Sequence, residues 1–182
     1  MTWEYCSTCD MKIPPRTHHC NFCQKCILKR DHHCFMVGTC IGYKNQRYFV
    51  VLAFYAVLCG IGGGLLTYSY LKIMFLPTSY AWTDYLFPVA IYRWLTGASY
   101  MTGHYALLII CVRFHWRLLS KGLTLYELTK RVPVKSFNSI NYNFRSVFGD
   151  FWVLNFIFPM QIIFRQREDG TKWEGCKIRL QC

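Results

Sequence analysis

The chain has 182 residues, of which 53% are apolar, 18% aromatic and only 16% charged, and that aromatic load excludes a disordered tail. Lys and Arg outnumber Asp and Glu by 21 to 9, a formal charge of +12. Strong basicity joined to high apolarity is unusual for a freely soluble enzyme and suits a membrane protein facing an anionic leaflet or a phosphate-bearing ligand.

Seven of the eleven cysteines (Cys6, Cys9, Cys20, Cys23, Cys26, Cys34, Cys40) fall in the first 40 residues, with His18, His19, His32 and His33. An odd cysteine total interleaved with His-His pairs argues against a secreted disulfide framework and for metal ligation in a reducing compartment. The opening MTWEYCSTCD offers no apolar run of the kind a signal peptide needs. Cys6, Cys9, His18, His19, Cys20 and Cys26 recur fourteen residues later as Cys20, Cys23, His32, His33, Cys34 and Cys40. A tetrahedral zinc takes four N or S ligands, two of them usually from a short knuckle. Two such sites leave three of these donors spare. Cys6 and Cys20 have knuckle partners at Cys9 and Cys23, whereas the matching partner of Cys34 is Val37. The assignment is Cys6, Cys9, His19 and Cys26 for one zinc, and Cys20, Cys23, His33 and Cys40 for the other. Spacing alone does not choose between the two histidines of each pair, since His18 and His32 satisfy the repeat equally well.

Asp31-His32-His33-Cys34 sets a carboxylate, two imidazoles and the orphan thiol side by side. In extended backbone His32 shares a face with Cys34 while His33 points away toward metal. Asp31 then reaches His32 only if the chain turns there. The set amounts to a nucleophile, a base and an orienting acid in one loop. A zinc with three thiolates and one imidazole is net negative, so the metals hold the loop rather than stabilise a nearby thiolate. His32 when protonated, Lys29 and Arg30 are the groups that would do so. The bland alternative is that all these donors serve zinc, with Cys34 as an alternative ligand.

The run Cys6-x2-Cys9, Pro14-Pro15-Arg16, His19-Cys20, Cys23, Cys26, Asp31-His32-His33-Cys34, Cys40, Asn45 and Phe49 resembles the cysteine-rich domain of DHHC protein S-acyltransferases (palmitoyltransferases) over about the first 50 residues. The resemblance implies two structural zinc ions on the ligands above, Cys34 as the acylated nucleophile, His32 as general base and Asp31 orienting it. It also implies long-chain acyl-CoA as co-substrate and a cysteine of a membrane-associated protein as acceptor. Typical members carry two membrane helices before this domain. Here Met1 precedes Cys6 by five residues, so the expectation is a fragment, a truncated product or an atypical member with an open acyl cavity.

From Tyr48 to Leu71, 24 residues, no side chain is charged, enough to cross a bilayer core of ~30 Å with tilt. Gly60, Gly62, Gly63 and Gly64 would let a neighbouring helix approach closely. A second uncharged run covers Trp94 to Val112, with Arg93 and Arg113 able to snorkel from its ends. Seven Lys/Arg precede the first run, twelve follow the second, and only Lys72 and Arg93 lie between. Positive-inside therefore places both ends in the cytosol and the intervening loop across the membrane. The resemblance implies the endoplasmic reticulum or the Golgi, with the plasma membrane as the alternative. Arg16, Lys25, Lys29 and Arg30 are partners for CoA phosphates or simply a solvated basic face.

Farther on, Thr124-Leu125-Tyr126-Glu127 resembles the family's Thr-Thr-x-Glu element with Leu125 in place of the second Thr. Asn143 to Gly149 resembles its C-terminal motif. Phe151 to Phe164 holds Pro159, is too short to span, and reads as an interfacial segment. Cys176 and Cys182 are exposed candidates for acylation or free thiols. The expected architecture is a mainly α membrane protein. Residues 1–46 form a double-zinc cysteine-rich module with short β-hairpins. Residues 47–119 hold two transmembrane helices at about 48–71 and 94–112, and 120–182 form a cytosolic segment that is interfacial at about 151–164. The leading function is protein S-acylation. A non-catalytic zinc-bearing membrane scaffold, or an inactive truncated fragment, is the alternative, and two apolar spans without a recognition helix exclude nucleic acid as partner.

Overall fold

A computed structural model describes residues 3–74, 86–158, 166 and 169–178. It divides into two compact units, one of Met1–Leu52 with Phe114–Cys182 and one of Ala53–Arg113.

The first unit begins with three antiparallel hairpins: β1 (Glu4–Cys6) with β2 (Met11–Ile13), β3 (His18–Cys20) with β4 (Lys25–Ile27), and β5 (His32–Cys34) with β6 (Thr39–Ile41). The fourteen-residue period of the sequence is thus a hairpin period, and it runs three times rather than twice. Each turn needs one residue with positive φ, supplied in register by Asp10, Gln24 and Gly38. The first two turns carry the Cys-x2-Cys knuckles, and the third carries Cys34 and Val37 in the same places. Paired strands this short are not stable alone.

Two long helices follow, α1 (Gln46–Met74) and α2 (Leu86–Ser120). The expected spans at about 48–71 and 94–112 lie inside them, and both helices overrun. An uncharged run marks where side chains tolerate lipid, whereas Arg93 and Arg113 are good helix formers and do not end the backbone spiral. Among the described residues one helix, α1 over Gln46–Ser69, is long and apolar enough to cross a membrane. Within the second unit, a Cβ on Gly60 would collide with the Tyr105 ring, so this glycine admits α2 closely, as the glycine-rich stretch suggests. Gly62 and Gly64 face open space.

Back in the first unit come α3 (Leu125–Thr129), β7 (Val134–Ser136), α4 (Ile140–Phe148), α5 (Leu154–Ile157) and β8 (Cys176–Ile178), which pairs with β7. Helix α4 is capped by Ser139, and its Phe144, Val147 and Phe148, spaced for one helical face, are buried, with Phe144 packing on Trp116 of α2 at 4.6 Å between centroids. Asn143 donates to the Ser120 carbonyl at 2.9 Å, closing an otherwise open C-terminal carbonyl of α2. Helix α5 stops before Pro159, and most of the remainder of the expected interfacial segment, residues 159–164, lies outside the described residues, as do 75–85 and Cys182. Cys176 is a free cysteine but half-buried in β8, opposite Ser136, rather than exposed.

Candidate functional site

The hairpins gather the cysteines and histidines into two donor clusters. Cys6 and Cys9, from the turn of the first hairpin, meet His19 and Cys26, a cross-strand pair of the second. Cys20 and Cys23, from the second turn, meet His33 and Cys40, a cross-strand pair of the third. In each cluster the four ligand atoms lie within 4.8 Å of one another, with His19 Nδ1 at 3.2 Å from Cys9 Sγ and His33 Nδ1 at 3.3 Å from Cys23 Sγ. Ligands about 2.0–2.3 Å from a tetrahedral zinc stand roughly 3.3–3.8 Å apart, so both donor sets fit that ion. Burial, and the neighbouring thiols of each cluster, push Cys26 and Cys40 up to about 12, so three thiolates coexist there only around a cation. Strand alternation explains the division of labour: His19 and Cys20 are adjacent, point to opposite faces, and serve different clusters.

The same alternation in β5 sends His33 to the second cluster and leaves His32 and Cys34 on the other face. Cys34 is buried and belongs to neither cluster. Asp31 stands just before the strand, its N–H donating to the Ile41 carbonyl at 2.8 Å, and its Oδ2 lies 2.7 Å from His32 Nδ1. The contact is made with the nearest turn at Leu28 and Lys29, where Lys29 has a φ of 45°. Asp31 is 1% exposed and is pinned from its other oxygen by the backbone N–H of Leu125, at 2.7 Å. The residue replacing the family's second Thr thus reaches the carboxylate through its main chain. Phe49 packs edge-on against both His32 and His115 at 5.2 Å between centroids. His115, on the last turns of α2, sets its Nδ1 3.7 Å from Asp31 Oδ2. Sequence reading passed over His115; the available signal was an ionisable residue just beyond the apolar run, beside Arg113.

Helix α3 is placed by a reciprocal cap. Thr124 accepts from the Glu127 N–H, and the Glu127 carboxylate accepts from the Thr124 N–H at 2.9 Å. Glu127 also forms a forked ion pair with Arg16, at 2.6 and 2.8 Å, both side chains 2% exposed. Burial alone would raise the Glu127 pKa, but the Arg16 charge and hydrogen bonds and the Thr124 N–H outweigh it and hold the carboxyl below its usual range. Arg16 donates besides to the Gly122 carbonyl and lies over Trp173, whose indole N–H donates to the Pro15 carbonyl.

The four basic residues read as CoA partners are therefore not equivalent. Arg16 is committed to Glu127, and Lys29 is buried with its ammonium 5.0 Å from the centre of the Trp173 ring. Arg30 donates to the His19 carbonyl and lies over Tyr126, while Lys25 is exposed. His18 stacks on Tyr126 at 4.2 Å, and burial lowers it to about 4, so it is a neutral packing residue. A pocket of about 560 Å³ opens between the second cluster and α3, lined among others by Asp31, His32, Phe35, Arg30, Tyr126 and Lys130.

The model of the DHHC palmitoyltransferase family matches residues 1–132. The chain belongs to that family. No curated protein matches it. The matched segment holds both donor clusters, Asp31 to Cys34, α1, α2 and the α3 cap. As a DHHC family member the chain is a membrane protein of the palmitoyltransferase class, and its apolar α1 accords with that.

Proposed function

We propose that this chain transfers a long-chain acyl group from acyl-CoA to a cysteine of a membrane-associated protein, through a thioester on Cys34. The observation that carries the reading is the 2.7 Å contact between Asp31 Oδ2 and His32 Nδ1 on a strand that presents Cys34 from the same face as His32. With Nδ1–H donated to Asp31, His32 keeps Nε2 free to take the Cys34 proton. The Cys34 sulfur then attacks the acyl carbonyl, the C–S bond to CoA breaks, and the departing CoA thiolate takes that proton. In the second half the acceptor cysteine attacks the Cys34 thioester, His32 removes its proton, and Cys34 leaves and is reprotonated.

Zinc on the two donor clusters would hold the hairpins and take no part in these steps. Arg30 and Lys130 line the pocket beside His32, and their charge suits the phosphates of CoA, with Lys25 available in solvent. Positive-inside orientation of α1 and α2 would set this machinery on the cytosolic face. Incubation with radiolabelled palmitoyl-CoA is expected to yield a hydroxylamine-sensitive adduct that Cys34→Ser lacks. Equal labelling of Cys34→Ser would overturn the nucleophile assignment.

A further inference from the structure

Beside the two thiolate clusters stands a third convergence of donors of a different kind. Asp31 Oδ2 is approached by His32 Nδ1 at 2.7 Å and by His115 Nδ1 at 3.7 Å, and the three ligand atoms lie within 4.8 Å of one another. Two imidazoles and one carboxylate form a borderline nitrogen–oxygen set suited to Zn2+ and, more strongly, Cu2+. Around such an ion donor atoms stand about 3.3 Å apart. The His115 contact is slightly wider than this and too long for a hydrogen bond, and the His32 contact is slightly shorter. Shifts of about half an ångström in opposite directions would accommodate the ion.

We infer that Asp31, His32 and His115 form a third divalent-metal site, separate from the structural pair, whose occupancy switches the acyl-transfer centre off. The pocket lined by Asp31 and His32 gives it a route from solvent. Arg30 and Lys130 on the same wall oppose a cation, so this ion binds more weakly than the two held by thiolates. Inhibition, which rests on the acyltransfer reading, follows from tautomer chemistry. An ion on His32 Nδ1 takes the lone pair where the proton stood, and the neutral ring then carries its one proton on Nε2, exchanged there through water. Nε2–H donates and cannot accept, so Cys34 loses its base. The hydrogen bond from the Leu125 N–H is on Oδ1, the oxygen not facing the histidines, and survives binding.

The test uses the full chain in detergent micelles or vesicles, with its two zinc ions in place, dialysed against buffered Zn2+ and against Cu2+. Bound metal is counted by elemental mass spectrometry. Wild type and Cys34→Ser are expected to take up a third equivalent, while His115→Ala and Asp31→Asn stop at two. Co2+ offered as the third ion is expected to give visible d–d absorption without a near-ultraviolet thiolate band, which distinguishes it from exchange into the cysteine clusters. Autoacylation is expected to fall at least tenfold as the third equivalent binds, and to return with a weak chelator that leaves two zinc ions bound. His115→Gln serves where His115→Ala fails to fold. A stoichiometry of two in wild type at millimolar metal, or a third equivalent unchanged in all these variants, overturns the site. A third equivalent that binds without slowing acylation overturns the switch. Failure of wild type to acylate with only two zinc ions bound would overturn the acyltransfer reading, while the metal count still decides the site on its own.

Discussion

At Asp31 one carboxylate organises two elements: it holds the His32 ring through Oδ2 and receives the Leu125 N–H on Oδ1. Asp31→Asn is nearly isosteric but cannot hold an imidazolium, and autoacylation is expected to fall by roughly 100-fold or more with the fold retained, as read by initial rates and a melting curve. A residue farther away controls the same carboxylate. Arg16 and Glu127 are an ion pair with both partners buried, and removing either leaves an uncompensated charge. Arg16→Ala or Glu127→Ala is expected to cost about 3–5 kcal/mol, seen in chemical denaturation, and to slow acylation by loosening Leu125. His18 carries a pH signature. Its folded pKa of about 4 lies below the ordinary histidine value, so the unfolded chain binds its proton first as pH falls. The stability it contributes is intact above about 6.5 and is lost between there and about 4. The difference between wild-type and His18→Gln melting temperatures is expected to change across that window, separating this effect from the acid sensitivity of the thiols they share. The roles of Asp31, His32 and Cys34 could be proposed from the sequence, because all three fall within four residues and alternation puts His32 beside Cys34, although it sends Asp31 to the other face. His115 and Glu127 could not be placed beside them, because contacts across about a hundred residues leave no local periodicity.

Among the elements, the hairpins best show what a sequence displays and what it conceals. The fourteen-residue repeat was legible, and so were the cysteines that the structure gathers in each donor cluster, whereas spacing left the histidine of each pair open. The third copy of the repeat showed in the match of Cys34 and Val37 to the two knuckles, but its folding as a third hairpin did not, because that turn has only one cysteine and Gly38 stands where Asp10 and Gln24 stand in the others. The basic residues separate for a related reason: charge is visible in sequence, but the burial of Arg16 and Lys29 against Trp173 and the pairing of Arg16 with Glu127 are not. Gly42 offers a test of how tightly the third hairpin is seated. A Cβ there would come within 2.7 Å of Ile27 Cγ2 and 2.8 Å of the Leu28 carbonyl oxygen, which cannot swing aside as a side chain can. Gly42→Ala is expected to lower stability by about 1–3 kcal/mol and acylation with it, measured by thermal unfolding of the zinc-loaded chain.

For the molecule as a whole, family membership and the apolar α1 mark a membrane protein, and the donor clusters lie in the hairpins that precede it. The lengths of α1 and α2 exceeded the uncharged runs because lipid tolerance and helical geometry are different properties of the same residues. If α1 crosses the bilayer, a charge near its middle must oppose insertion. Leu58→Arg is expected to cost about 2.5–3.5 kcal/mol of insertion energy and to move a measurable share of chain out of the alkali-resistant membrane pellet. The parent chain is expected to stay there.

The hairpins are linked head to tail: the first turn clasps the crossing pair of the second hairpin, the second turn that of the third, and the third turn enters neither donor cluster. Damage therefore travels one way. Oxidation of Cys20 or Cys23 strikes the clasp that seats the hairpin bearing Cys34, whereas loss of Cys6 or Cys9 must first unseat its neighbour. Under graded oxidant, the chain should lose turnover in step with the second clasp and only later with the first, so that working capacity reports on one end of a three-link series.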